Sequence, residues 1–478
     1  MRRRDLLAGA GTSIAAVCGC LGDSTVRPPR AEHGTAANTT RVEWPSASAA
    51  AAPADHVIIV GTGDVSRPDA PPIVITEPRL QGIGTLVALD PDEGTTVWRI
   101  PDVVLAGEPV HRGDTLYLPC ETATNGGEWG TNVGLVIACD PTTGAIRWTV
   151  RHETAGYREI AVDDDRVYAA TAAGHLHCLD AASGRVRWNV EHVLGDQNGS
   201  QRIPDLVAHG IVVAVVGRGR SVGVDGRTGA RHWTYDHIGR GFGGRGVYGS
   251  TVVVADGERV HGIDLTSGAR RWLEPLTMGP SSTISVRARG LVTAGNHAYV
   301  IDRQTGISAF EITSGTYAWR ATPGTIQLTH VAIADDVLYA AGYETLPGIG
   351  ARAAVIAVDR ATGAVRWTNR TIEDRRVTGL VGRDDRVLLA CRRCAGERLV
   401  LLDGADGQPV ATPVHLGEPH LVAGDSSGDA AYVTTAYRRS VTAFDLSTGD
   451  RRWTADGFDQ PAHHPPVDVT TVGIDPAW

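Results

Sequence analysis

One phrase recurs nine times along this chain at near-even spacing, built on an acidic residue followed four positions later by glycine. In eight of the nine, tryptophan stands four positions further on. The copies are Asp90-Gly94-Trp98, Asp140-Gly144-Trp148, Asp180-Gly184-Trp188, Asp225-Gly229-Trp233, Asp264-Gly268-Trp272, Glu311-Gly315-Trp319, Asp359-Gly363-Trp367 and Asp445-Gly449-Trp453. The copy at Asp403-Gly407 carries Ala411 in place of tryptophan. They recur every 39 to 50 residues. At that period one unit cannot bury its own apolar face and has to stack on its neighbours.

Each phrase closes a short apolar run such as Thr85-Leu86-Val87-Ala88-Leu89 or Ala354-Val355-Ile356-Ala357-Val358. An aspartate at the head of a tight turn accepts hydrogen bonds from the amides just ahead of it. The glycine supplies the left-handed conformation that a short hairpin loop needs, and tryptophan then falls on the returning strand. Two positions before the acid stand Ala88, Ala138, Cys178, Gly223, Gly262, Ala309, Ala357 and Ala443, all small. The exception is Leu401, in the copy without tryptophan. The indole therefore needs room there, and its flat face is expected to pack between neighbouring sheets. The expected fold is all-β: a closed β-propeller of four-stranded blades, nine by motif count, with eight as the close alternative.

The pattern resembles the tryptophan-docking motif of the pyrroloquinoline-quinone-type propellers, over roughly residues 55 to 455. That superfamily includes quinoprotein alcohol dehydrogenases and a lipoprotein that helps assemble bacterial outer membranes. The resemblance implies a ring of blades and leaves the chemistry open, because a fold is not a function.

The chain opens Met1-Arg2-Arg3-Arg4-Asp5-Leu6-Leu7, then runs apolar and small from residue 8 to 17. Basic, apolar and small is the order of an export signal, and the arginine pair is of the twin-arginine type. Val17-Cys18-Gly19-Cys20 resembles a lipobox. It places a lipid on Cys20, with Cys18 as the fallback, and so predicts anchoring to a membrane surface without a spanning helix. Residues 21–53, rich in Pro, Ala, Ser and Thr, read as a flexible tether. The expected organisation is signal peptide 1–20, tether 21–53 and propeller 54–478. Asn38, Asn198 and Asn369 each fit the N-glycosylation acceptor triplet.

All 45 basic residues are arginine. Without lysine, P-loop, Schiff-base and lysine-base chemistries drop out. A net charge of -9 argues against nucleic acid as a partner.

Four strands can be drawn in each copy. In the third they are 159–162, 166–170, 175–179 and 186–190. The first copy opens on a second strand at 56–60, and residues 467–474 are expected to fill the missing place ahead of it. Long insertions at 64–84, 121–134, 191–201 and 343–352 fall at one end of the ring and mark it as the contact face. Glu121, Trp129, Tyr343 and Glu344 are the candidate partner-binding residues there.

Quinone dehydrogenases of the resembling superfamily carry adjacent cysteines and acidic and amide metal ligands. Here no two cysteines are adjacent, and no catalytic, cofactor-binding or metal-binding set can be matched. Cys391-Arg392-Arg393-Cys394 is placed in a turn, where a zinc site would need a second pair. Cys139 and Cys178 read as core. His175 and His177 share one strand face, a packing arrangement unless a third ligand joins them. Gly239-Arg240-Gly241-Phe242-Gly243-Gly244 lacks a strand-helix unit around it and reads as a connection. The motif acids are expected to be spent on their own turns. The function expected is an exported, membrane-anchored, non-catalytic scaffold at the cell envelope, with no cofactor and an unidentified protein or surface ligand as partner. The alternative is a quinoprotein oxidoreductase using pyrroloquinoline quinone and calcium.

Overall fold

The computed structural model describes most residues between 85 and 455. It also describes the short strands Thr39–Val42, Val57–Val60, Ile73–Thr76 and Thr471–Val472. Among the described residues every regular element is a strand, and the strands form nine separate antiparallel sheets. Eight sheets have four strands in chain order. The third is typical: Tyr157–Val162, Arg166–Thr171, Leu176–Asp180 and Val186–Val190. Up-and-down order follows from short connections, since a hairpin joins antiparallel neighbours with a few residues. The sheets are numbered here by the motif each contains.

Apolar side chains fill the gaps between successive sheets. One cluster joins Trp98 and Ile100 of the first sheet to Leu118, Leu135 and Ile137 of the second. Another joins Trp319 and Ile307 of the sixth to Leu338 and Ile356 of the seventh. A third joins Val87 and Leu89 of the first sheet to Tyr432 and Val441 of the ninth. Both faces of each sheet are thus buried, which explains the near-continuous apolar third strands.

The first sheet departs from the expectation. Val57–Val60 is its first strand, and Ile73–Thr76, inside the stretch read as a loop at 64–84, is its second. Ile73-Val74-Ile75-Thr76 is a β-branched run suited to a pleated surface. The sheet is therefore complete, and the carboxyl-terminal segment is not needed in it. Thr471–Val472 pairs instead with Thr39–Val42, which pairs with the outer edge of Ile146–His152 in the second sheet. Part of the stretch read as tether is thus a strand, and the second sheet has seven. The segments 343–352 and 121–134 also differ. Val337–Leu346 and Gly350–Asp359 form one long hairpin, so Tyr343 and Glu344 lie on a strand. Glu121 lies on Thr115–Thr122.

Candidate functional site

The repeated unit is a turn capped by its acid. In the second sheet Asp140 Oδ1 accepts from the amides of Thr142 and Thr143, each at 2.9 Å. The amide of Gly144 reaches back to the Asp140 carbonyl. The same bonds recur at Asp225, Asp264 and Asp359. All nine motif glycines sit at φ between 69° and 79°, the left-handed region where a side chain is strained. The second carboxylate oxygen takes an arginine seven residues on: Arg187 on Asp180 and Arg366 on Asp359, both at 2.7 Å. Arg147, Arg271 and Arg452 do the same for Asp140, Asp264 and Asp445. Arg187, Arg271 and Arg366 hold the carboxyls of Asp180, Asp264 and Asp359 down to about 2. The acids are spent on their turns, as expected.

The tryptophans bind sheet to sheet. Trp98 lies on the peptide of Gly144, where an added Cβ would come within 2.6 Å of the indole. Its Nε1 donates to the Pro141 carbonyl at 2.8 Å. Trp148, Trp188, Trp233, Trp272, Trp319 and Trp367 donate to the equivalent carbonyls of Ala181, Gly226, Leu265, Ile312, Arg360 and Gly404. Trp453, in the ninth sheet, donates to Pro91 of the first at 2.7 Å. The small residue two before each acid stands directly opposite its tryptophan, as Ala88 opposite Trp98 and Gly223 opposite Trp233.

The sequence reading missed a second aromatic row. Tyr117, Tyr168, Tyr299, Tyr339 and Tyr432 lie across the same small residues from the other side. Their rings lie 5.8 to 6.0 Å from the tryptophans of their own sheets. The signal was present as a recurring tripeptide of apolar residue, tyrosine, apolar residue, in Leu116-Tyr117-Leu118 and Val167-Tyr168-Ala169. Variable loop lengths after it hid the period.

The candidate partner residues are differently placed. Glu121 is buried, with Arg158 at 2.6 Å. Glu344 is buried beside Thr325, Arg352 and Arg370. The Tyr343 hydroxyl donates to Gln327 at 2.8 Å. Trp129 and Cys20 lie outside the described residues, as do Cys18, Cys394, Asn38, Asn198 and residues 239–243. Cys391 is a buried strand residue, not a turn residue, because Arg386–Arg393 runs through it. Cys139 and Cys178 are buried core residues, and burial pushes both thiols up to about 12. Asn369 is buried with its amide on the Gly407 carbonyl at 2.6 Å, so the folded chain does not offer it for glycosylation. His177 is buried against His152 of the preceding sheet, a packing role. Among the described residues no group of three or more His, Cys, Asp or Glu is placed to hold a metal ion.

Capped turns, docked indoles and stacked four-stranded sheets define a protein of the β-propeller class. A family model described as outer membrane protein assembly factor BamB matches residues 132–369 and 351–473, and the chain belongs to that repeat family. It is similar to the outer membrane protein assembly factor BamB of Xanthomonas campestris pv. campestris, 30% identical over 167 residues. That match covers 33% of this chain and 39% of the relative. The BamB of Moranella endobia is 20% identical over 235 residues, 47% of this chain and 57% of that one. The chain thus spans well under two thirds of either relative's length. Among solved structures, dihydro-heme d1 dehydrogenase NirN in complex with DHE is 13% identical with a TM-score of 0.50. It covers 84% of this chain and 78% of its own. BamB from Moraxella catarrhalis is 18% identical with a TM-score of 0.46, covering 74% of this chain and 98% of its own. At such identities the likeness is one of fold.

Proposed function

We propose that this chain is a non-catalytic β-propeller of nine blades, exported and held at a membrane by a lipid on Cys20. In this reading it binds a protein or surface ligand at the cell envelope, in assembly work of the kind its relatives are named for. The observation that carries the reading is the use to which the motif is put. Its acids cap turns, its glycines receive indoles, and its tryptophans join sheets, so the repeat is spent on holding a shape. Membership of the repeat family described as BamB supports the assembly role. The bond from Trp453 to Pro91 supports closure at nine blades.

In this reading residues 1–20 are the signal and 21–53 the tether, of which Thr39–Val42 is held on the second sheet. The proposed contact face is the end bearing the insertions. There Trp129 and Tyr343 are the contacts to test, while Glu121 and Glu344 shape the face through their arginines.

Crosslinking in intact membranes and pull-down with the full chain is expected to recover one discrete protein partner. Reconstitution with pyrroloquinoline quinone and calcium, in a dye-reduction assay on alcohols and sugars, is expected to give no turnover. Turnover would replace this reading with the quinoprotein oxidoreductase. Fatty-acid labelling that survives Cys20→Ser would move the anchor elsewhere.

A further inference from the structure

Two of the seams between sheets carry histidine at the same two motif positions. One position is four residues past the tryptophan, and the other is three residues before the next acid. Between the second and third sheets these are His152 and His177. Their ring centroids are 5.1 Å apart, and both side chains are buried. Between the fourth and fifth sheets they are His237 and His261, 5.7 Å apart and also buried. At the position of His177 and His261 the other sheets place Val87, Ile137, Val222, Ser308, Ile356, Val400 and Thr442, none of which titrates.

One histidine of each pair, His177 and His237, is held neutral by its surroundings. Tyr157, from the first strand of the third sheet, is fully buried, and its hydroxyl lies 2.6 Å from Nδ1 of His177. Burial keeps that phenol protonated, and the contact is one that a neutral imidazole satisfies without a second proton. Burial first, then His152 and His175, hold His177 down to about 3. His175 lies 5.6 Å from His152 and 5.1 Å from His192, with Glu191 nearby. Asn189 stands opposite on the next strand, and Arg158 of the first strand is occupied by Glu121.

In the other seam Ser221 lies 2.7 Å from His237 Nε2. Burial and then His261 hold His237 down to about 4 against the pull of Asp256 and Asp236. His261 itself lies between Tyr235 at 2.8 Å and Asp256 at 2.9 Å.

We propose that these two seams are acid-operated joints, at which proton uptake by His177 and His237 parts neighbouring sheets while the remaining seams stay shut. The sign follows from linkage. A histidine depressed on folding favours the closed seam fully above its ordinary value of 6.5 and loses that contribution as pH falls below it. For one such group, moving from pH 7.5 to pH 5 raises the opening equilibrium about 30-fold.

Hydrogen exchange on the full chain at pH 7.5 and 5.0, corrected for the intrinsic exchange rate, reads this directly. Peptides covering Ile146–His152, Leu176–Asp180, Arg231–Asp236 and Arg259–Asp264 are expected to open about 30-fold more at pH 5. Peptides covering Tyr317–Ala321 and Gly350–Asp359 are expected to hold. His177→Gln, which keeps an acceptor for Tyr157, should abolish the acid response in the first seam only. His237→Gln should do so in the second only, and gives an independent reading if the first variant folds poorly. No acid response at either seam, a uniform rise across all sheets, or a response that survives the glutamine substitutions overturns the proposal.

Discussion

In the seam between the seventh and eighth sheets, Trp367 lies on Gly407, donates to the Gly404 carbonyl at 2.7 Å and has Tyr339 behind it at 5.9 Å. One sheet further on, the same interface is built without an indole. The row Tyr339, Ala357, Trp367 gives way to Leu388 opposite Leu401. Leu399 and Leu401 pack with Ala431, Val433, Phe444 and Leu446 across the seam. The bond to the next turn passes to Arg386, whose Nε donates to the Ser447 carbonyl at 3.3 Å. Large, small, large has become medium beside medium. Close packing explains the exchange, because a deleted indole leaves a cavity unless another side chain fills it. Both solutions close the seam with apolar packing and a hydrogen bond to the next turn.

The comparison breaks most readily at the best-buried indole. Trp98→Ala is expected to lose about 3–5 kcal/mol in urea unfolding, since Trp98 is 0% exposed. A loss below about 1 kcal/mol would mean that indole docking adds little to stability. Leu401→Ala should cost about 2–4 kcal/mol by the cavity argument. Adding Ala411→Trp to that variant should recover part of the loss, and a further drop would show that the two rows are not interchangeable.

Gly144→Ala faces both a φ of 69° and the Trp98 ring, and should cost about 2–3 kcal/mol. In the Trp98→Ala background only the backbone part, about 1 kcal/mol, should remain, because the two residues share one contact. The smallest effect is expected at the partly exposed turn charges. Asp180→Asn should cost about 0.5–1 kcal/mol by thermal melting. These carboxyls are depressed on folding, so their contribution is present above 3.8 and is lost as pH falls toward about 2. Melting curves at pH 5 should leave the turns intact while the histidine seams loosen.

Much of this was legible because the motif is local. Acid, glycine and tryptophan lie within nine residues, and the small residue is two further back, so their turn and hairpin could be read without knowing the partner sheet. What resisted reading depends on distant chain. Ile73–Thr76 looked like a loop because four residues carry little periodic signal. Glu344 looked like a loop-tip contact because nothing local shows that Arg352 and Arg370 converge on it.

The chain's own order of residues determined the repeat, its period, the capped turn and the pairing of each indole with a small neighbour, since each is a short-range demand of backbone and volume. Tertiary structure alone decided that the last motif tryptophan, Trp453, reaches the first sheet, 362 residues away. It also decided that Thr39–Val42 and Thr471–Val472 extend the edge of the second sheet and that histidines from different repeats face one another. Those contacts arise from how sheets stack in space, and the energy that selects them comes from groups that no local spacing brings together.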